Sequence, residues 1–305
     1  MAAESTSYSA PPATAVRAAV APVPKRRRVF SWANLRHEPR FLIGGAFIGL
    51  LILAAVCAPP LMPDNPTVSH PADANQAPSP AHLLGTDDLG RDVLARTVYG
   101  ARASLSVGII AVGIGLGVGV ALGLTAGYRG SWVDLLISRF IDALLAFPGL
   151  LLAISITAAL GPSLSNAMIA IGIVAIPVYA RLSRGQVLQV KEREYVEAAR
   201  TIGASEWRIA THHILRNVLN PLIVQASLSI AFAILAEASL SFLGLGAQPP
   251  SPSWGADMNH GRDYLSNGFW WMSIGPGIAI LLTVFSFNLL GDSVRDLLDP
   301  QLRRR

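Results

Sequence analysis

Long stretches without charged residues alternate with polar segments along this chain. A helix needs about 20 apolar residues to cross the hydrocarbon core of a bilayer. Uncharged runs of at least this length lie at 41–62, 104–127, 143–180, 217–236 and 264–291. Each run is therefore long enough for at least one membrane-spanning helix.

The run at 143–180 is too long for a single span. The turn-forming sequence GPSLSN interrupts it, so a hairpin of two helices is predicted over 136–160 and 164–182. The run that starts at residue 217 extends past Glu237 to Leu243. The pattern thus predicts an all-α, polytopic membrane protein with six transmembrane helices.

The composition is that of a membrane protein rather than of a soluble domain. Of the 305 residues, 52% are hydrophobic and 14% are charged; soluble domains have about 25% charged residues. The only cysteine, Cys57, cannot form a disulfide within the chain. Neither of the two lysines, Lys25 and Lys191, lies in a phosphate-binding loop sequence, so no ATP site of that type is predicted.

Basic residues are distributed unequally between the two sides of the predicted bundle. Of the 24 lysines and arginines, 19 fall in segments on the side of the N-terminus. Four fall in the loops on the other side, namely Arg91, Arg96, Arg102 and Arg262, and the remaining one, Arg139, lies at the inner end of the third span. Because cytoplasmic loops are enriched in Lys and Arg, both termini are predicted to be cytoplasmic. This distribution also explains the net charge of +5 without a nucleic-acid partner.

The same pattern divides the chain into segments. Residues 1–34 are predicted to form a disordered basic tail. Residues 35–103 are predicted to form the first transmembrane helix and a long outer loop. Residues 104–300 form the predicted five-helix core, whose charged cytoplasmic loop covers 183–216. Residues 301–305 are a short basic tail.

Glycines recur every four residues in the second span, which predicts close helix packing. Small residues at this spacing lie on one helix face and allow another helix to approach closely. The spacing does not match the G-x-G-x-x-G fingerprint of dinucleotide sites. The glycines are Gly115, Gly119, Gly123 and Gly127 on one ridge, and Gly113 and Gly117 on the next.

Four residues within the spans are candidates for gating or for a translocation pathway. Arg139 and Asp142 share a helix face and can form an ion pair, which could equally be an interfacial pair without a gating role. Pro148 is expected to bend the third span. Glu237 is costly inside a membrane, so it either has a functional contact or bonds to a neighbouring subunit or a broken helix end.

The cytoplasmic loop contains the most specific motif of the sequence. Glu197, Ala198, Ala199 and Gly203 resemble the EAA-x-x-x-G signature of bacterial ABC importer permeases. The hydrophobic Ile214 falls where the same signature expects an apolar residue. The resemblance implies a bacterial inner-membrane protein whose loop docks on an ATP-binding subunit.

This loop is expected to form two short helices that meet at Gly203. Residues 192–202 contain good helix formers, Gly203 can end that helix, and residues 204–214 can form a second one. Arg216 replaces the proline that usually ends the signature, which leaves the shape of this helix end open. The expected coupling residues are Glu197, Ala198, Ala199, Gly203, Ala204 and Ile214.

Three further segments narrow the resemblance. Residues 85–105, 239–255 and 289–300 resemble the dipeptide, oligopeptide and nickel permease subfamily, and the resemblance covers residues 35–300. It implies the type I ABC importer permease fold and peptide import, without a catalytic residue or cofactor in this chain. The implied partners are a related B-type permease, two subunits that bind ATP and Mg²⁺, an extracytoplasmic substrate-binding protein and membrane lipid.

Two outer features are candidates for docking of the substrate-binding protein. Asp87, Asp88, Arg91 and Asp92 form a charged cluster before the second span, which could instead lie on the membrane surface. Trp254 follows a proline-rich stretch and is expected at the tip of a stiff outer loop near the pore mouth.

Other functions stay open at this point. The same machine could import nickel, haem or another small ligand, although no cluster of His, Cys or Met favours a bare metal. A secondary transporter would need inverted repeats and more buried ionisable groups, and neither is clear. The sequence offers no catalytic cluster for a membrane enzyme, and a simple channel would not need the charged cytoplasmic loop.

Overall fold

A computed structural model describes residues 38–62 and 65–298 of the chain. These residues form helices joined by loops, and the described part contains no strand beyond one isolated β-bridge. The predicted tails at 1–34 and 301–305 lie outside it. The main helices are α1 Pro39–Val56, α2 Val93–Arg129, α3 Ser131–Leu145, α4 Gly149–Leu160, α5 Leu164–Lys191, α6 Glu194–Thr201, α7 Glu206–Phe242, α8 Trp254–Arg262 and α9 Trp271–Leu298.

Five of these helices are long and apolar enough to cross a membrane, namely α1, α2, α5, α7 and α9. A sixth candidate consists of α3 and α4 together, which are bent by 89° at the break between them. Pro148 directly precedes α4 and lacks the N–H that would continue the helix from α3. The all-α fold with six predicted spans is confirmed, and the bend occurs where Pro148 predicts it.

The second span starts earlier than its hydrophobic run. α2 begins at Val93 because the Asp92 side chain accepts a hydrogen bond from the Ala95 N–H, at 2.8 Å, and so caps the helix. Arg102 in the added turns donates to the Ala55 carbonyl oxygen at the end of α1, at 2.5 Å. The long outer loop therefore ends at residue 92 and not at residue 103, where the sequence analysis placed its end.

The helices α2 and α5 form the most extensive pair of the described fold. A Cβ on Gly119 would lie 2.7 Å from the Ile176 carbonyl oxygen in α5, and the other glycines of its ridge come as close to α5. The first glycine ridge therefore packs against α5 as predicted. No described helix packs against Gly113 and Gly117, where an added Cβ would meet no described atom within 4 Å, so close packing on this second ridge stays a prediction.

The helices α5, α7 and α9 lie side by side, and α2 packs across all three on one face of this row. α1 covers α9 and α2, and α4 lies along α5. Glu237 and Ile230 of α7 face α2, where Ser104 and Gly108 contact them. Leu235 lies two positions from Glu237, on nearly the opposite side of α7, and is 47% exposed.

The bundle has two distinct ends. α6 lies at one end, between the end of α5 and the start of α7. α8 lies at the other end, between the end of α7 and the start of α9, and packs on both of them. These are called the α6 end and the α8 end below.

Candidate functional sites at the two ends of the bundle

The α6 end carries a compact projection, residues 194–208, which we call the hook. Val196 and Ala199 of α6 are buried against the bundle. The chain then reverses at Gly203, whose φ of +83° favours glycine. The Ala204 N–H donates to the Ala199 carbonyl oxygen at 3.0 Å, which satisfies the end of α6.

The hook is anchored by the first turns of α7. Ile209 and Ile214 lie in a π-helical turn and are fully buried, so Ile214 belongs to the core. α7 begins at Glu206 and continues past Arg216 into the span without a break, so the missing proline does not end a helix there. The second helix expected over 204–214 is present from Glu206 onward, but it is the first part of α7 and not a helix of its own.

The free surface of the hook is largely apolar at its tip. Glu197 and Ala198 are exposed there, whereas Ala199 faces its own bundle and cannot contact a partner in this conformation. Ile202 is 85% exposed and Trp207 is 78% exposed. The sequence analysis missed these two residues. The available signal was a pair of large apolar residues on either side of a glycine turn within a charged loop.

Polar contacts join the hook to two spans. Glu206 accepts a hydrogen bond from the Tyr128 hydroxyl at the end of α2, and Arg200 Nε of α6 donates to it at 3.3 Å. Asn217 Nδ2 of α7 donates to the Tyr195 hydroxyl of α6 at 3.0 Å. A displacement of the hook therefore acts on both α2 and α7.

At the α8 end, charged side chains join α8 to α2 and to the loop before it. Arg96 Nε of α2 donates to Asp257 Oδ1 of α8 at 3.0 Å, and Arg96 Nη1 donates to the Pro66 carbonyl oxygen at 2.8 Å. Arg91 Nε donates to Asp87 Oδ2 at 2.6 Å. Asp87 and Arg91 are buried, so in this conformation they do not offer the docking surface that the sequence analysis expected.

Asp88 and Asp92 are also engaged within the chain. Asp88 bonds to the His260 imidazole of α8 and to the Tyr264 hydroxyl, and Asp92 Oδ2 lies 2.9 Å from His82 Nδ1. Burial alone would raise the pKa of Asp88, but the hydrogen bonds from His260 and Tyr264 outweigh it and lower the pKa below its ordinary value of 3.8. Asp88 is thus held as a carboxylate.

Only one of the two carboxylate oxygens of Asp257 has a hydrogen-bond partner among the described residues. Its Oδ2 atom is buried and has no hydrogen-bond partner among the described residues. Burial therefore raises the pKa of Asp257, and the neighbouring charge of Arg96 opposes this shift without cancelling it. The Arg96–Asp257 pair thus links α2 to α8, although one carboxylate oxygen of Asp257 has no described partner.

Glu237 is fully buried where α7, α2 and the start of α8 meet. Its carboxyl group accepts hydrogen bonds from Ser241 at 2.7 Å, from Ser253 at 3.0 Å and from Ser104 at 3.3 Å. These partners belong to its own chain and replace the neighbouring subunit or broken helix end considered from the sequence. Glu237 therefore ties the α8 end together.

Trp254 is fully buried rather than exposed at a loop tip, which corrects the expectation from the sequence. Its indole N–H donates to the Thr97 carbonyl oxygen at 2.8 Å. A Cβ on Gly100 would lie 3.0 Å from the indole, so this glycine makes room for the ring. Trp254 therefore pins the start of α8 onto α2.

Two family patterns match the chain. The family described as binding-protein-dependent transport system inner membrane component matches residues 119–304, which is more than half of the chain. The chain belongs to this permease family. The N-terminal TM domain of oligopeptide transport permease C matches residues 29–78. The chain is thus a multi-pass permease subunit of an ABC importer, and such a subunit works with ATPase and substrate-binding components.

Similar permeases are known from several bacteria. The dipeptide transport system permease protein DppC of Alkalihalophilus pseudofirmus is 46% identical over 90% of both chains. The probable D,D-dipeptide transport system permease protein DdpC of Escherichia coli is 45% identical over 91% of this chain and 94% of that one. The glutathione transport system permease protein GsiD of Pectobacterium atrosepticum is 44% identical over 89% of this chain and 90% of that one.

The fold also resembles a solved transporter. The inward-facing MetNI methionine ABC transporter contains a chain that aligns with a TM-score of 0.53 and 18% identity, over 66% of this permease and 95% of that chain. At this identity the likeness supports the fold alone. It agrees with the type I importer permease fold implied by the EAA-x-x-x-G resemblance.

Within this permease, the expected ion pair between Arg139 and Asp142 does not form. Asp142 instead accepts a hydrogen bond from Arg181 Nη2 at 2.7 Å, and Asp134 accepts one from Arg184 Nε at 2.5 Å. Both bonds run from α3 to α5, whereas Arg139 is exposed. The two pairs therefore fix α3, the first half of the bent span, onto α5. A gating role for Arg139, Asp142 or Pro148 stays a prediction.

No metal site accompanies these contacts. Among residues 38–62 and 65–298, no three His, Cys, Asp or Glu side chains converge in a way that could hold a metal ion. The adjacent His212 and His213 point apart, with ring centroids 6.1 Å from each other.

Proposed function

We propose that this permease forms half of the translocation pathway of an importer for short peptides. Relatives named for dipeptides, D,D-dipeptides and glutathione support peptides as the substrate class. A related B-type permease supplies the other half of the pathway. Two ATP-binding subunits hold ATP and Mg²⁺ and bind the hooks, and this chain itself hydrolyses no ATP.

The proposal orients the chain in the inner membrane with the α6 end and both termini in the cytoplasm. The excess of Lys and Arg on that side supports this orientation. The α8 end then faces the substrate-binding protein. Because Asp87, Arg91 and Trp254 are buried, that protein contacts backbone and exposed side chains around α8 rather than these three.

The hook is the observation that supports this function best. Ile202 and Trp207 expose large apolar surfaces in water, while Val196 fixes the same segment to the core. Exposed apolar groups on a rigid base are typical of protein interfaces, and tryptophan is enriched among residues that contribute most to binding. Closure of the ATPase subunits around ATP moves the hook, and α7 follows as a body.

The docking role can be tested with a surface substitution that does not disturb folding. Trp207→Ser is expected to weaken binding of the ATP-binding subunits about thirtyfold, because a central tryptophan typically contributes 2 kcal/mol or more. Trp270→Ser, at the opposite end and 51% exposed, is the matched control and should leave that binding unchanged. Equal affinity of both variants and the wild type would refute the role of the hook.

Coupling can be tested at the turn of the hook. Gly203→Val places a β-branched residue at a φ of +83° and should uncouple ATP hydrolysis from import while the subunit stays in the membrane. Gly185→Val is the control, since an added Cβ there meets no described atom within 4 Å. Glu197→Ala should act in the same direction as Gly203→Val. Unchanged ligand-driven ATPase activity and uptake would contradict the proposal.

The substrate class needs its own experiment. The complex is reconstituted in vesicles with its copurified substrate-binding protein and offered labelled dipeptides, Ni²⁺ or haem. ATP-dependent uptake of dipeptides alone is the expected result. Uptake of Ni²⁺ or haem in place of dipeptides would refute peptides as the substrate class but would still support an ATP-driven importer. Uptake by the isolated chain without nucleotide or partners would refute an ATP-driven machine altogether.

A further inference from the structure

An apolar groove opens at the α8 end, on the face of the helix row that α2 does not cover. Its volume is about 520 Å³, and it lies between the last turns of α7, the helix α8 and the second to fourth turns of α9. Its walls are almost entirely apolar, with Leu235, Phe242, Met258, Ile280 and Leu281 among the lining side chains. The groove is thus large enough for one or two hydrophobic side chains of a ligand.

A pair of opposite charges lies at the rim of this groove. The Arg262 guanidinium lies 5.7 Å above the centre of the Phe242 ring, and Phe242 lines the groove. Arg262 Nη2 donates to Asp263 Oδ1 at 3.1 Å. The Arg262 side chain is 57% exposed and that of Asp263 is 69% exposed, so a ligand can reach both.

We infer that this groove is a transit subsite for short peptides with free termini. The peptide's carboxylate binds the Arg262 guanidinium, its ammonium group binds the Asp263 carboxylate, and an apolar side chain enters the groove. This inference rests on the proposed function in peptide import, and it adds where and how the permease itself recognises the peptide.

The energetics suit a site that a substrate must leave again. The exposed Arg262–Asp263 pair is weak, so separating the two charges costs little. A guanidinium binds a carboxylate through two parallel hydrogen bonds, which restores what the separation loses. Since the groove is open, only part of a bound side chain leaves water, and the affinity stays low enough for passage.

The paired charges favour a zwitterionic ligand over an anionic or uncharged one. A phospholipid with a purely anionic headgroup would place its phosphate beside the carboxylate of Asp263, which is unfavourable. A phosphatidylethanolamine also carries an ammonium group, so copurifying phospholipid is measured as an outcome of the test. A second permease could cover the groove, but it would remove both rim charges from water. This removal is unfavourable unless the second permease supplies a charged partner for each of them. A short peptide with an apolar side chain satisfies the two charges and the apolar groove at once, and it is the zwitterionic ligand that the proposed function brings to this chain.

The test fills the groove without disturbing the fold. A Cβ on Gly277 would meet only Met258, at 3.7 Å from its methyl carbon, so a leucine there can extend into the groove. Gly117→Leu is the matched control, because Gly117 faces open space on another span. Each complex is reconstituted with the same substrate-binding protein, and ATP-driven import of dileucine and of diglycine is measured.

Gly277→Leu is expected to lower the ratio of dileucine to diglycine import about tenfold, because a filled pocket rejects the larger side chain. Gly117→Leu should leave the ratio unchanged. The preference of the binding protein cancels when variants are compared, since that protein is the same in all of them. Arg262→Gln should slow import of both dipeptides several-fold with an unchanged ratio, and Arg262→Lys should restore part of the rate.

Three outcomes would overturn the inference. One is an unchanged import ratio for Gly277→Leu in an assembled complex that still imports diglycine. The second is loss of a copurifying phospholipid without any change in the ratio, which would assign the groove to lipid. The third is failure of Gly277→Leu, and also of Gly277→Ala, to assemble with the partner permease, which would assign the groove to that interface. A wild-type complex that imports no dipeptide would instead refute the proposed function itself.

Discussion

Arg96 of α2 and Asp257 of α8 form a buried ion pair, with Arg96 Nε 3.0 Å from Asp257 Oδ1. The two side chains are 161 positions apart in the chain, and both are about nine-tenths buried. The pair fixes a helix outside the predicted spans onto the start of the second span. In the proposed orientation, the pair therefore determines the geometry of the surface that meets the substrate-binding protein.

Removal of Arg96 should be strongly destabilising. Arg96→Leu leaves Asp257 as an uncompensated buried carboxylate, and breaking such a pair typically costs about 3 to 5 kcal/mol. The measurement is thermal unfolding of the purified complex in detergent. Arg262→Leu breaks an exposed pair and should cost less than about 1 kcal/mol. Equal losses in the two variants would show that burial of the Arg96–Asp257 pair has no special effect.

The two glycine ridges of α2 should respond differently to a large side chain. Gly119→Leu places a side chain against the α5 backbone, where an added Cβ would lie 2.7 Å from the Ile176 carbonyl oxygen. The expected cost is about 3 kcal/mol, seen as a lower unfolding temperature and a lower yield of monodisperse protein. Gly113→Leu, on the open ridge, should behave like the wild type. Tolerance of Gly119→Leu would mean that α2 and α5 can separate.

Asp88 predicts a loss of stability in acid. Its pKa is lower in the folded chain than its ordinary value of 3.8, so its contribution is complete above pH 3.8 and is lost as the pH falls through the folded-state pKa. Unfolding temperatures measured from pH 5 downward should therefore fall less steeply for Asp88→Asn than for the wild type. Parallel curves for the two proteins would contradict this assignment.

Substitutions of Glu237 should lower the stability in proportion to the hydrogen bonds that they remove. Glu237→Leu leaves the hydroxyls of Ser104, Ser241 and Ser253 without their acceptor, at a cost of about 3 kcal/mol. Glu237→Gln keeps one acceptor oxygen and should cost about 1 kcal/mol. Thermal unfolding measures both costs. If glutamine were as harmful as leucine, the charge of Glu237 would matter more than its hydrogen bonds.

The length of the uncharged apolar runs was sufficient to predict the spans. A run of about 20 apolar residues has few alternatives to a membrane helix, and five such helices plus the bent pair are present. The bend also followed from one residue, because Pro148 lacks the N–H that a continuous helix needs. Local rules therefore predicted most of the fold.

Partners from distant helices could not be predicted in the same way. Spacing along one helix suggested that Asp142 bonds to Arg139, but the structure pairs Asp142 with Arg181 of α5. A rule about neighbours three positions apart contains no information about the helix that packs alongside. Trp254 failed for the same reason, since its burial depends on Thr97 and on the space at Gly100.

The candidate site was predicted in outline only. The signature residues identified the hook, yet Ile202 and Trp207, its most exposed apolar residues, lie outside the signature letters. The groove near Phe242 had no counterpart in the sequence analysis. Its walls come from three helices, and only their packing brings Met258 opposite Leu281.

The continuity of α7 has a mechanical consequence. This one helix runs for 37 residues, about 55 Å at 1.5 Å per residue. It begins in the hook beside Trp207 and ends at Phe242, beside the rim charges. If α7 tilts as a rigid body about the hook, a rotation of about 5° shifts its far end by about 5 Å, roughly the pitch of one helical turn. In the proposed complex, such a rigid helix would let the ATPase subunits on one side of the membrane widen or narrow the opening at the α8 end.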